Sequence, residues 1–208
     1  MQFEVKRDTL LKSLNFVQGI VEKKNTLPIL SNVLLQLKEK KLSIVATDLD
    51  IIFYDQIDEV KIQTEGSTTT SAAILYDILR KIPSNSEIRF ELKSENKLSL
   101  KSDNADFNLL CLQTDNFPTF SDEFDGQELN LNSGKFLKLL NKTKISISND
   151  DTRHYLNGVY IHLTEIQGRN FLTGVATDSH RLSSSSVEIK NINNFSALIL
   201  PRKTVYQL

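Results

Sequence analysis

Val45-Ala46-Thr47-Asp48 returns unchanged later in the chain as Val175-Ala176-Thr177-Asp178. Four identical residues are weak evidence alone, but two further pairs keep the same order. Leu10-Leu11-Lys12-Ser13-Leu14 resembles Phe136-Leu137-Lys138-Leu139-Leu140, and Leu30-Ser31-Asn32-Val33 resembles Leu156-Asn157-Gly158-Val159. The pairs lie about 126 to 130 positions apart, and ordered matches at nearly one offset mark a duplicated domain. Duplicates of this kind stack into arcs or rings, although a repeat does not itself fix closure.

Around the repeated tetrapeptide the first copy reads as mixed strands and helices. Gln2 to Lys6 is a strand. Asp8 is placed to cap a helix over Thr9 to Glu22, with Leu10, Leu14, Val17 and Val21 at helical spacing. Asn32 to Leu37 and Lys41 to Thr47 form a hairpin about Lys38-Glu39-Lys40, and Ile51 to Val60 reads as one further strand. Gly66-Ser67 marks a turn before Thr68-Thr69-Thr70. A helix follows over Ala72 to Ile82, then strands over Glu87 to Leu92, Lys97 to Ser102 and Asp106 to Leu112. The fold class is α+β with antiparallel sheets.

The acidic stretch from Phe117-Pro118 to Gly126 suits an interdomain linker, giving domains over 1–125 and 126–208. The second copy restarts with a strand over Leu129 to Leu131 and Ser133 as a helix cap. It reaches Pro201-Arg202-Lys203 as its second helix begins, with Pro201 suited to the helix N-terminus. A domain rarely stops there, so the 208 residues are expected to be part of a longer protein.

Composition excludes several classes. With 25 Lys and Arg against 26 Asp and Glu, the formal charge is −1, which argues against gripping nucleic acid by bulk charge. Basic residues gathered on one face remain compatible with that balance. No apolar run approaches the ~20 residues of a membrane span, and Met1-Gln2-Phe3-Glu4-Val5-Lys6-Arg7 has no apolar signal region, so a cytoplasmic location is expected. The single cysteine, Cys111, sits among leucines and reads as a buried, inert thiol. The three histidines have no cysteine partners at ligand spacing, so neither metal nor cofactor is expected.

Several segments together are similar to the β sliding clamp family of bacterial DNA polymerase III. In the first copy they are Thr26-Leu27-Pro28-Ile29-Leu30 with Asn32, Ala46-Thr47-Asp48-Leu49, and Asp115-Asn116-Phe117-Pro118. In the second they are Arg153 with Tyr155-Leu156-Asn157-Gly158, then Ala176-Thr177-Asp178-Ser179-His180-Arg181-Leu182 and Pro201-Arg202-Lys203. This resemblance implies a DNA-clamp fold of tandem domains, with sheets outside and helices lining a central hole. Two three-domain chains would close into a homodimeric ring around double-stranded DNA. The family is non-catalytic and confers processivity. Its partners, the replicative polymerase, the clamp loader and repair polymerases, dock through short linear motifs.

The resemblance also implies sites. The partner-peptide cleft would use Leu156, Thr177, Ser179, His180, Arg181 and Leu182, with leucines as floor and Thr177 and Arg181 framing it. The family usually has Gly where Ser179 stands. Duplex contacts would come from the loop bearing Lys24 and from Asn149, Asp150, Arg153, His154 and Tyr155. Asp150 departs from what phosphate contact favours. Arg80, Arg202 and Lys203, with Lys12, Lys138 and Lys142, would be helix residues facing the hole. Phe107 and Leu109 would lie on the strand edge that meets a second chain.

Two other functions compete with the clamp. A hydrolase would use Asp178 and His180 beside Ser179, but adjacent strand residues point to opposite faces and cannot form a relay. No nucleophile elbow or phosphate-cradling loop is present. A two-domain protein-interaction module that never encircles DNA is the second, and the 208-residue length favours it.

Overall fold

Phe3 and Val5 alternate with Gln2, Glu4 and Lys6, and the chain forms a strand there, β1 (Gln2–Lys6), that buries both apolar side chains. The structure, a computed structural model, describes residues 1–21, 27–103, 105–118, 128–150, 152–190 and 195–208. It divides into two units, Met1–Phe120 and Ser121–Leu208. The expected boundary at 125 and 126 falls outside the described residues; the helix expected to run to Glu22 ends at Val17, with a turn over residues 18–20.

In unit 1, β1 leads into α1 (Arg7–Val17), which buries Leu10, Leu14 and Val17. Asp8 does not cap this helix. It lies in the first turn, where its carboxylate accepts from the guanidinium of Arg7 and from the backbone N–H of Asn85 at 2.8 Å. Arg7 also donates from Nε to the Leu79 carbonyl at 2.7 Å. The helix start is therefore secured by tertiary partners that local sequence cannot display.

A 3₁₀ turn over Pro28–Ser31 precedes β2 (Asn32–Lys38) and β3 (Lys41–Thr47). Glu39 and Lys40 join them with φ of 53° and 65°, the two-residue geometry that matches strand twist. The stretch read as one strand over Ile51 to Val60 is instead two, β4 (Ile52–Ile57) and β5 (Val60–Thr64). They occupy opposite edges of the nine-stranded order β4-β3-β2-β6-β9-β8-β7-β1-β5. Both carry β-branched residues, and only pairing distinguishes β3 from β1 as the neighbour.

The remaining strands are β6 (Gly66–Ser71), β7 (Glu87–Ser94), β8 (Lys97–Ser102) and β9 (Ala105–Leu112), with α2 (Ala72–Lys81) between β6 and β7. Gly66 and Ser67 begin β6 rather than forming a turn before it. The Ser71 hydroxyl accepts from the Ile74 N–H, and Arg80 and Lys81 occupy the last turn of α2, where positive charge suits the helix dipole. Helix and sheet residues share one core, including Leu10, Leu14, Leu75, Leu79 and the stacked pair Phe3 and Phe90, centroids 4.7 Å apart. Cys111 is buried in it, and burial pushes its thiol up.

Unit 2 repeats half of this plan. Leu129 to Leu131 is not a strand, and no partner pairs with it among the described residues. Helix α3 (Ser133–Thr143) is capped by Asn132, whose Oδ1 accepts from the Lys135 N–H at 3.1 Å, so Ser133 is the first helical residue rather than the cap. Then come β10 (Gly158–Ile166), β11 (Arg169–Thr177), β12 (Leu182–Glu188), β13 (Leu198–Pro201) and α4 (Arg202–Gln207). Their order, β12-β11-β10-β13, matches β4-β3-β2-β6. The hairpin residues Gln167 and Gly168 have φ of 51° and 72°, as Glu39 and Lys40 do in unit 1. Leu139, Leu140, Val159, Ile161, Leu172 and Val205 form the core.

Candidate docking site

Thr177 ends β11, and the following residues turn back within five positions to begin β12. The Asp178 carboxylate makes that turn: Oδ1 accepts from the N–H groups of His180 and Arg181, each at 3.0 Å. Its Oδ2 accepts from Arg181 Nε at 3.0 Å. The Thr177 hydroxyl accepts from the Ser179 N–H at 3.2 Å and donates to the Arg181 carbonyl at 2.7 Å. Asp178, Ser179 and His180 thus lie in a turn, not on a strand. The carboxylate serves the backbone, and no relay to His180 forms.

Unit 1 builds the same turn from the repeated tetrapeptide. Asp48 Oδ1 accepts from the N–H groups of Asp50 and Ile51, and the Thr47 hydroxyl accepts from Leu49 and donates to the Ile51 carbonyl. Leu49 and Ser179, the matching residues, have φ of 81° and 78°. Both occupy the left-handed region that favours glycine. Ser179 therefore keeps a glycine-like backbone although it carries a side chain.

The 3₁₀ turn His154–Leu156 stands beside this turn. Arg153 joins the two: its Nε donates to Asp150 Oδ2 and its Nη1 to Ser179 Oγ, both at 2.9 Å. Arg202 at the start of α4 donates from Nη1 to Asn149 Oδ1 at 2.7 Å, and its N–H donates to the Asn157 carbonyl at 3.0 Å. Residues expected at two separate sites, Asn149, Asp150, Arg153 and Arg202 on one hand and Ser179 on the other, thus meet in one network. His180 and Arg181 are exposed, and Leu182 and Tyr155 present 65% and 69% of their surface, while Leu156 is half-buried. The arrangement offers apolar side chains on a hydrogen-bonded frame, which suits binding rather than bond cleavage.

The local electrostatics agree with the geometry. The N–H groups of Arg181 and His180, and then the Arg181 guanidinium, hold the Asp178 carboxyl below the ordinary aspartate value. The hydroxyl and N–H of Thr152, helped by Arg153, do the same for Asp150. Asp150 is thereby the anion that orients Arg153.

Other expected residues lie elsewhere. Lys24 is outside the described residues. Arg80 is exposed on α2 in unit 1, its guanidinium 5.5 Å from the Tyr76 ring centroid. Lys203 lies in the first turn of α4, and Lys12, Lys138 and Lys142 are exposed on α1 and α3. Leu109 is 4% exposed, because the two-residue period of β9 turns it into the core with Cys111. Phe107 is more open and lines a cleft with Ile74, Ile78 and Ile82. Among the described residues, 105–110 of β9 pair with β8 alone, and β6 meets β9 at Cys111 and Leu112.

Sequence reasoning missed Asp178 as the organiser of the turn, and its signal was the repeat itself. Among the described residues no group of three His, Cys, Asp or Glu is placed to hold a metal ion, and no helix is long and apolar enough to cross a membrane.

Paired copies of this α+β half-sheet, each with its carboxylate-stapled turn, define a duplicated clamp-type module. Residues 1–121 match the model of the DNA polymerase III beta subunit N-terminal domain, and residues 130–208 match that of its central domain. The chain belongs to the DNA polymerase III beta subunit family, the beta sliding clamps. It is 35% identical over 207 residues to the beta sliding clamp of Caulobacter vibrioides, covering 99% of this chain and 55% of that protein. It is 36% identical to that of Escherichia coli K12, covering 100% and 56%. A Caulobacter crescentus beta sliding clamp crystallised with PEG superimposes with a TM-score of 0.93 at 34% identity, covering all of this chain and 55% of that one. A Bartonella birtlesii sliding clamp bound to griselimycin gives 0.93 at 36%, covering all of this chain and 55% of that one. The chain spans about half the length of the curated relatives it matches.

Proposed function

We propose that this chain is a two-domain interaction module of a DNA sliding clamp, whose second unit docks short linear motifs of polymerases, the clamp loader and repair polymerases. The observation that carries this reading is the Asp178-stapled turn, which holds Leu182, His180 and Arg181 exposed and is linked through Arg153 to the segment bearing Leu156. A preorganised frame lowers the ordering cost of capturing a peptide, and the exposed Leu182 with the half-buried Leu156 provides its apolar contact.

Encirclement of duplex DNA is the larger reading, and it requires more length than these residues supply. Two features support it. Every charged residue of α3 is basic, Lys135, Lys138 and Lys142, whereas the sheet of unit 1 pairs opposite charges, as in Lys61 with Glu87 and Lys101 with Asp106. A face of lysines without acidic neighbours on its own helix meets phosphates without reading bases. The open side of β9 at residues 105–110, with Phe107, would meet a second chain by strand addition and close a homodimeric ring. The setting is the cytoplasm.

The test is native mass beside denatured mass, with retention on circular and linearised DNA. A native mass equal to a denatured 23.6 kDa, with no retention on circles, is expected of the module. A native mass twice a larger denatured value, with retention lost on linearisation, is expected of the ring. Docking is tested by titrating a peptide from the C-terminal tail of a replicative polymerase. Amide shifts confined to Leu156, Thr177 and Leu182 support it, and their absence at saturating peptide refutes it.

A further inference from the structure

Leu49 stands in the unit 1 turn that Asp48 staples, with φ of 81°. A bulky side chain rarely adopts that left-handed backbone, and such outliers persist where surrounding bonds fix them and cluster at functional sites. Here the Thr47 hydroxyl accepts from the Leu49 N–H at 2.9 Å, and Asp48 Oδ1 accepts from the Asp50 and Ile51 N–H groups at 3.1 and 2.8 Å. The turn thus holds an aliphatic side chain outward, and Leu49 is 53% exposed. The apolar surface continues along β4. Ile52 opposes Thr47 and Tyr54 opposes Val45, so the two-residue period places Ile52 and Tyr54 on one face. They remain 47% and 58% exposed. The floor of that face is firm, because Val45 packs against the buried cluster of Ile29, Leu30 and Phe117.

Charge separates the two stapled turns. The offset of the repeated tetrapeptide carries Leu49, Asp50, Ile51 and Ile52 onto Ser179, His180, Arg181 and Leu182. In unit 2 the stapling carboxylate of Asp178 is answered by Arg181 at 3.0 Å. Unit 1 has Ile51 at that position and adds Asp50 where unit 2 has His180. From Thr47 to Ile52, unit 1 therefore carries two carboxylates and no basic residue. Asp50 is exposed, and among the described residues its carboxylate joins no ion pair.

We propose that Leu49, Ile52 and Tyr54, beside Asp50, form a second peptide-docking surface, which takes short segments that join an aliphatic or aromatic side chain to lysine or arginine. The three apolar side chains supply contact area on a backbone already fixed, and a tyrosine is a favoured anchor at such surfaces. The exposed carboxylate selects the sign of the partner's charge. The proposal goes beyond the docking reading of unit 2 and stands without it, because every residue that carries it belongs to unit 1.

The test titrates two synthetic peptides, Gly-Ser-Leu-Phe-Lys-Lys and Gly-Ser-Leu-Phe-Glu-Glu, into the isotopically labelled chain. The lysine peptide is expected to shift the amides of Leu49, Asp50, Ile52 and Tyr54. The glutamate peptide is expected to bind there about fivefold or more weakly, since it loses an exposed charge pair and gains a repulsion. Asp50→Lys is expected to reverse that order, and it spares the turn, because Asp50 serves the staple through its backbone N–H. Leu49→Gly suits the left-handed backbone, so it is expected to keep or raise the melting temperature while weakening the lysine peptide. The amides of Leu156, Thr177 and Leu182 report separately on unit 2, so either docking reading can fail alone. The proposal is overturned if unit 1 amides stay unmoved at saturating lysine peptide, or if the two peptides bind unit 1 equally. It is overturned as well by an order that Asp50→Lys leaves unchanged, or by a Leu49→Gly chain that binds like the parent.

Discussion

Replacing Gly158 with alanine probes whether close strand approach holds the second unit together. Gly158 begins β10 opposite Pro201 of β13. A Cβ there would lie 2.3 Å from the Leu200 carbonyl oxygen and 2.6 Å from Ile199 Cγ2, where real Cβ atoms essentially never come within 3.0 Å. The oxygen belongs to backbone, so β13 must retreat by about 0.7 Å or more, and overpacking of this kind costs about 1–3 kcal/mol. Alanine also restricts the unfolded chain, which offsets about 0.4–1 kcal/mol. A net loss of about 1–2 kcal/mol corresponds to roughly 4–16 °C in melting temperature for a unit of this size. The displacement should spread to the docking loops, because the Arg202 N–H bonds the Asn157 carbonyl beside it. Thermal unfolding followed by hydrogen exchange, read separately for each unit, measures this. Faster exchange at Val159 and Arg202, with unit 1 unchanged, is expected. A Gly158→Ala variant that melts with the parent would refute the claim that this approach demands glycine.

Three further outcomes follow from the same structure. Because its partners hold the folded Asp178 carboxyl below the unfolded value, its contribution to the turn is complete at neutral pH. That contribution fades as pH falls below about 4, through the lower folded value. The amide shifts of His180 and Arg181 should therefore stay constant down to that range, and a midpoint above it would contradict the staple. Leu139→Ala removes a side chain that is 1% exposed and sits over Gly174, at a cost of about 2–5 kcal/mol. Exchange protection in β10 and β11 should collapse while β2 and β3 remain protected. Lys138→Ala with Lys142→Ala should lower the salt dependence of duplex binding by a slope of about 1.8, at about 0.9 for each phosphate no longer neutralised. An unchanged slope would place α3 away from DNA.

Much of the fold was legible because most elements carry a period. The strands β1, β2, β3, β7, β8 and β9 and the helices α1, α2 and α3 follow from alternation or helical spacing to within a few residues. The departures share a cause. Asp8 suits a cap by residue type, but a tertiary partner, the Asn85 N–H, takes its carboxylate. The stretch from Ile51 to Val60 has a strand's composition throughout, and nothing local says that its halves pair with β3 and β1 on opposite edges.

The site was legible only in part. The repeated Val-Ala-Thr-Asp marked the segment and the family resemblance named the residues around it, but the local reading put Asp178, Ser179 and His180 on a strand, where the structure has a turn. That Asp178 organises the turn, that Arg153 connects it to Asp150, and that Leu109 faces inward all depend on groups whose placement the folded chain sets.

By itself, then, the sequence determined the duplication, the α+β class and the family. Each rests on local periodicity or on residue identity, which survive in one dimension. Only the tertiary structure decided which strand neighbours which and which carboxylates serve backbone rather than ligand. Hydrogen bonding and burial depend on distances of a few ångströms between residues far apart in the chain, and folding alone sets those distances.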